Sequence, residues 1–502
     1  MSEVSEMPST SGSKSPVVLA LMPALVMVAT FMVFRRIDGV GLMGFDSYPL
    51  ILTARIDSWS SFLGTFTEEL MDGRYRGDYY RPALNLSFAL DHLLWGLKPM
   101  GYQLTGALLY GACAVSVGAL MARLLRERIG AGVLAATLFF LLHDSHFEVI
   151  PVPARRPELL CGLFACLSLG NQLRTKYLAK RWAVVPAVWM LLAAASKETG
   201  YALPAIGVLA VILYSPAGSI RDRCLHGLRV GIVHGVFVLL LLAARISVLG
   251  GLGGPGEAPG MAAGPSSMEL TTVLFGRLFV PQNVVAWGPL VPAFAVALAA
   301  SVLFACVYSK RGRSALAVAG AWMGVVGLLY GISRSIEQWY LFLPVIGLAL
   351  AVGASVDILE GLLLERRKLF AAVIGIPLAG FVLCQTRYSP LLHDYPEWNL
   401  ATSASDEFLE KLSRRVDRSA PGAQVNAPPI PLWYPPPVEG PGLRGGAVLE
   451  DYSVQAWLEL TYPGRRFQVL KPPYQTQVQP DAMAIHLTRP YSFESSSPAA
   501  SQ

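Results

Sequence analysis

Apolar residues run through most of this chain in long blocks broken by short polar turns. Blocks at 17–34, 102–122, 129–143, 157–173, 182–195, 200–215, 228–249, 288–308, 314–332, 339–358 and 369–385 predict eleven membrane-spanning helices. The pair at 182–195 and 200–215 falls short of the ~20 residues a straight span needs, which predicts short or re-entrant segments. The first block carries no charge over 18 residues and is long for a signal-peptide core, so it reads as an uncleaved span. The predicted fold class is therefore an all-α polytopic membrane protein over 17–385. A polar, Ser-rich tail expected to be disordered precedes it at 1–16, a small soluble α/β domain follows at 386–493, and 494–502 is again expected to be disordered.

The loop at 35–101 is patterned as well. Trp59, Phe62, Leu63, Phe66 and Leu70 recur at helical spacing among acids, as in a helix lying in the membrane interface. Residues 83–97 read as a second, more apolar interfacial helix, and the glycine-rich stretch from Gly250 as a lid or a linker. In the soluble part, 403–418 predicts a helix capped by Ser405, and 421–441 is Pro-rich and extended. Alternating patterns predict strands at 452–460, 466–470 and 482–487.

Composition supports the membrane reading: 53% of the 502 residues are hydrophobic and 15% charged, with a mean hydropathy of +0.48. The net charge of +6 comes from short basic clusters between apolar blocks, which argues against nucleic acid as a partner. Clusters at 123–128, 174–181, 221–229, 310–313 and 366–368 fall at alternate turns and predict the cytoplasmic side. Arg35 and Arg36 alone point the other way. The N-terminus is then cytoplasmic and the C-terminal domain extracytoplasmic. The six cysteines lie in or beside apolar blocks and form neither a disulfide framework nor a zinc spacing.

The turns between the basic ones hold the candidate chemistry. His143, His146 and Glu148 have a spacing compatible with a divalent metal, with phosphate hydrogen bonding or with a helix-end cap. Arg156 opens the next block beside Glu158, and the arginine fork suits phosphate oxygens. Lys197 and Glu198 stand at the end of a block where the charge bias disfavours a cation, so Lys197 suits a lipid-linked phosphate or snorkels to water. Asp46 is the first acid but one after the first block, and a carboxylate there can take a proton from an acceptor hydroxyl, with Asp57, Asp78 and Asp91 as competitors.

Tyr80, Arg81 and Pro82, followed by Leu86, Ser87 and Phe88 and then by Gly96, Leu97, Pro99, Gly101 and Tyr102, resemble a signature of the transmembrane, tetratricopeptide-repeat O-mannosyltransferases and their bacterial relatives. His143, His146 and Glu148, then Arg156 and Glu158, then Ser196, Lys197 and Glu198, follow in the same order, and the similarity covers about residues 40–400. Ser47 stands after a lone Asp46 where that family often has an acidic pair. Gln103, Thr105 and Asp144 replace its His, Asn and Pro, and the repeats are missing.

The resemblance implies a GT-C fold and a sugar donor linked to polyprenyl phosphate. It implies Asp46 as catalytic base, with Arg81, His143, His146, Arg156 and Lys197 holding the lipid phosphate and Tyr80, Glu148, Glu158 and Glu198 in support. The expected partners are the lipid-linked sugar, a protein or glycan acceptor and membrane lipid, in a bacterial inner membrane. Direct attack of the acceptor predicts inversion. The alternative is a non-catalytic membrane protein, a lipid-linked sugar transporter or an envelope assembly scaffold. A transporter would place its ionisable residues at mid-membrane and often carry repeats, whereas here they cluster at turns.

Overall fold

A computed structural model describes residues 16–73, 78–126, 130–174, 184–215, 219–253, 312–332, 338–386, 396–432, 449–470 and 482–492, with a few isolated positions between them. Helix α1 covers Pro16–Ile37, and three helices follow in the first loop: α2 Ser47–Thr53, α3 Trp59–Thr67 and α4 Pro82–Trp95. The apolar blocks then form α5 Pro99–Leu124, α6 Ala131–Leu142, α7 Arg156–Gln172, α8 Val184–Ser196, α9 Pro204–Tyr214 and α10 Ile220–Leu249. Helices α11 Arg313–Ile332, α12 Phe342–Leu364 and α13 Lys368–Gln385 complete the helical part. The predicted span at 288–308 lies largely outside the described residues, as does most of the glycine-rich stretch after Gly253.

Four of the described helical segments are long and apolar enough to cross a membrane: Pro99–Leu124, Ile220–Leu249, Arg313–Gly331 and Trp339–Leu364. That is the make-up of an integral membrane protein. Local chemistry sets several ends. Pro82 and Pro99 occupy first turns, where a missing N–H costs nothing. Ser219 caps α10 by accepting from the Asp222 N–H, and Gly250 closes it with φ +68°. Helices α6 and α12 cross closely at Gly132 and Gly353, where an added Cβ on either would come within 2.6 Å of the other's carbonyl. Trp322, fully buried, donates its indole N–H to the Leu343 carbonyl at 2.7 Å and ties α11 to α12.

The loop helices carry exposed apolar faces. Trp59 is 73% exposed and Leu93 81%, beside exposed Leu63, Phe66, Leu90 and Leu94. Such faces suit contact with lipid, as the loop's pattern predicts.

Beyond α13 the chain forms α14 Pro396–Asp417, β1 Gln424–Leu432, α15 Asp451–Thr461, β2 Phe467–Leu470 and β3 Met483–Ser492. The strands make a parallel sheet in the order β1-β3-β2. Prolines 428, 429 and 431 are tolerated because β1 is an edge strand with irregular register there. Two expectations need correction. Ser405 sits buried inside α14, whose first turn begins at Pro396. The stretch at 452–460 is a helix, not a strand. Its alternate residues Val454, Ala456, Leu458 and Leu460 are indeed buried, but because α15 is covered by α2 on one side and β2 on another. A reciprocal capping box between Glu450 and Ser453 starts it. One buried cluster runs from Val33 of α1 to Leu412 of α14 and Leu458 of α15, so this region shares the core of the helical part.

Candidate active site

A cavity of about 450 Å³ opens where the loop helices meet the ends of α7, α8, α10, α11 and α12. Four cations line it, Arg81, Arg155, Lys197 and Arg245, against three carboxylates, Asp46, Glu158 and Glu198. The basic turns that include Arg123, Arg174, Arg221, Arg313 and Arg366 lie at the opposite ends of these or neighbouring helices.

Asp46 is the N-cap residue of α2, yet its side chain makes no cap hydrogen bond. The carboxylate instead accepts from the Tyr452 hydroxyl of α15 at 3.1 Å, and Ser453 Oγ donates to the neighbouring Phe45 carbonyl at 2.6 Å.

Lys197 and Glu198 come from the turn after α8. Gly200 lets the chain double back there: an added Cβ would lie 2.5 Å from the Ala194 backbone. Glu198 receives Arg81 in a fork, Nε at 3.0 Å and Nη2 at 2.6 Å, and Arg245 Nη1 at 3.1 Å. Burial pushes the Glu198 carboxyl up, but the Arg81 charge and hydrogen bonds, with Arg245, outweigh it and hold the pKa at about 2. Burial in turn pulls the Arg81 guanidinium down, and the facing Glu198 more than offsets this. Arg245 also donates Nε to the Leu252 carbonyl at 2.7 Å, anchoring the start of the glycine-rich stretch, where Gly253 adopts φ +63° against the Asp78 carbonyl.

Lys197 pairs with Glu158, donates to the Tyr330 hydroxyl at 3.1 Å and faces the rings of Tyr330 and Tyr340 at 5.0 and 4.8 Å. Arg155 stacks on Trp339 at 3.3 Å and, among the described residues, makes no ion pair. Its Nε is buried without a hydrogen-bond partner. Leu242, Leu252 and Leu329 add an apolar side to the cavity.

The site thus gathers Asp46, Arg81, Glu158, Lys197 and Glu198 from the sequence expectation. The other nominated residues do not line it. Arg156 points the other way from Arg155, is 1% exposed and pairs with Asp91 at 2.5 Å while bonding Ser87. Tyr80 packs against Ala194 and Leu241 and donates to the Phe66 carbonyl; its neighbour Tyr79 faces the cavity. His143, His146 and Glu148 are buried in the turn after α6. His146 Nδ1 meets the Tyr110 hydroxyl at 3.0 Å, and His143 Nδ1 meets Ser145 at 2.9 Å. Burial depresses both imidazoles, His143 to about 3, so neither offers a positive charge to a phosphate at neutral pH. Among the described residues no three His, Cys, Asp or Glu side chains are grouped as a metal would need.

Arg245 and Tyr452 were not among the sequence candidates. A lone arginine inside the apolar block 228–249 is a signal that hydropathy averaging passes over. Tyr452 stands 406 residues from Asp46 and carries no local signal.

No established family model matches the chain. Protein O-mannosyl-transferase Tmtc1 of Drosophila melanogaster is 33% identical over 176 residues, which is 34% of this chain and 19% of that protein. Protein O-mannosyl-transferase tmtc2 of Xenopus laevis is 38% identical over 92 residues, 18% of this chain and 10% of that protein. The chain spans a fifth or less of the length of these curated relatives. Among solved structures, ArnT from Cupriavidus metallidurans bound to undecaprenyl phosphate superposes with a TM-score of 0.48 at 16% identity, over 82% of each chain. The archaeal oligosaccharyltransferase AglB from Archaeoglobus fulgidus gives 0.43 at 12% identity, over 90% of this chain and 62% of that one. Over part of its length this chain is therefore similar to the protein O-mannosyl-transferases, the family its motifs resemble.

Proposed function

We propose that this chain is an integral membrane glycosyltransferase that moves a sugar from a polyprenyl-phosphate-linked donor to a hydroxyl of a protein or glycan, at the extracytoplasmic face of a bacterial inner membrane. One observation carries the reading: a single cavity holds the carboxylate of Asp46, which makes no ion pair among the described residues, together with four cations, two further carboxylates and an apolar flank. The names of the sequence relatives agree with it. Charge supports this side of the membrane: the basic turns lie at the helix ends away from the cavity, and short basic loops favour the cytoplasm.

Asp46 takes the proton of the acceptor hydroxyl as its oxygen attacks the anomeric carbon. The new glycosidic C–O bond forms while the bond from that carbon to the phosphate oxygen breaks. The electron pair leaves with the polyprenyl phosphate, and the configuration inverts. Negative charge grows on that phosphate, where preformed cations lower the barrier. Arg155 suits this role because no carboxylate among the described residues pairs with it, while Lys197, Arg81 and Arg245 are held in place by Glu158 and Glu198. Leu242, Leu252 and Leu329 suit the first carbons of the lipid tail.

The test is reconstitution of the purified protein in liposomes with a panel of labelled polyprenyl-phosphate sugars. Release of polyprenyl phosphate with a glycosylated product supports the proposal. Passage of the intact donor across the bilayer with no product would replace it with the transporter reading.

A further inference from the structure

We infer that Tyr452 is a positioning residue for Asp46, so that the C-terminal α/β region completes the catalytic centre; this rests on the glycosyltransferase reading above. The contact is specific in its atoms. The Tyr452 hydroxyl lies 3.1 Å from Asp46 Oδ1. Oδ2 has no hydrogen-bond partner among the described residues and belongs to a residue of the cavity wall. One oxygen is therefore held and the other is left for the acceptor proton.

The direction of the bond is fixed by charge. Burial, and then the Asp46 carboxylate, push the Tyr452 phenol well above its usual range, so it remains protonated and donates. A hydrogen bond from a neutral hydroxyl to a carboxylate is among the stronger kinds and restricts rotation of the group that accepts it.

Geometry around the pair makes the contact stiff. Ser453, next in sequence, is fully buried and donates to the carbonyl of Phe45, the residue before Asp46. Two consecutive residues of α15 thus hold two consecutive residues at the start of α2. Helix α15 is itself locked to the sheet, because the Gln455 side chain donates to the Phe467 carbonyl and accepts from the Val469 N–H. Asp46 lacks the N-cap bond that would normally fix such a side chain, and Tyr452 replaces it. A base whose carboxylate turns freely spends less time aimed at the acceptor, which lowers the turnover rate and leaves donor affinity alone.

The experiment compares the full-length wild-type protein with Tyr452→Phe in liposomes, reading kcat, donor KM, the thermal unfolding midpoint and the rate at which a carbodiimide labels Asp46, located by mass spectrometry. We expect kcat to fall about tenfold with donor KM unchanged, and Asp46 to be labelled faster once Oδ1 is released. A wild-type kcat overturns the inference. So does a lower kcat with a lowered midpoint and unchanged labelling, because Tyr452 would then serve folding alone. Should the wild-type protein transfer no sugar, the functional reading fails, and unchanged labelling in Tyr452→Phe would separately show that Tyr452 does not hold Asp46.

Discussion

Arg81 and Glu198, 117 residues apart in sequence, meet in a two-pronged ion pair whose closest atoms are 2.6 Å apart. The pair joins the start of α4 to the turn after α8 and fixes the cation at the cavity wall. Its carboxyl, at about 2 in the fold, lies below the ordinary value of 4.5. The unfolded chain therefore binds the proton more readily, and the contribution to stability is present above about pH 4.5 and is lost as pH falls toward 2. Glu198→Gln should melt below the wild type at pH 7, with the gap closing as the pH is lowered through 4. A gap that is constant from pH 7 to 3 would contradict this account of the pair.

Arg156 and Asp91 are 1% and 2% exposed and lie outside the cavity wall. Removing one partner leaves the other charge buried and alone, which costs about 3–5 kcal/mol. Arg156→Leu should thus destabilise the protein strongly, and Arg156→Leu with Asp91→Leu should recover much of the loss. Donor KM of the double variant should stay near the wild-type value. A stable Arg156→Leu protein with a much raised donor KM would return Arg156 to the binding site.

The helices were readable in the sequence because burial in a membrane writes itself as long apolar runs. Helix α10 shows where that stops. The apolar block begins at Leu228, but a capped polar turn at Ser219 starts the helix earlier. The site was readable only as far as single residues could carry it. Asp46, Arg81, Lys197 and Glu198 stand out as charges at turns, and they do share the cavity. Arg155 and Arg156 are neighbours in sequence, and only packing decides which faces the cavity: Trp339 takes Arg155, and Asp91 takes Arg156 inward. The two histidines look like site residues by type and turn inward by packing, His146 against Phe140 and Phe342. Helix α15 shows the converse error, an alternating pattern produced by two neighbours instead of by a strand.

Trp59 is 73% exposed on α3, next to exposed Leu63 and Phe66. Contact with lipid would account for such a face. Brominated lipids should quench the wild-type protein more than Trp59→Phe. Equal quenching in the two would place this helix in water.

We propose Asp46 as the base of a glycosyl transfer carried out in the cationic cavity. This assignment is tested most directly by the initial rate of sugar transfer from a polyprenyl-phosphate donor by purified Asp46→Asn in liposomes. The amide keeps an oxygen for the Tyr452 hydroxyl but takes no proton. The expected rate is about 10²–10⁴ times lower, with the unfolding midpoint and donor binding retained. Transfer at the full wild-type rate would contradict it.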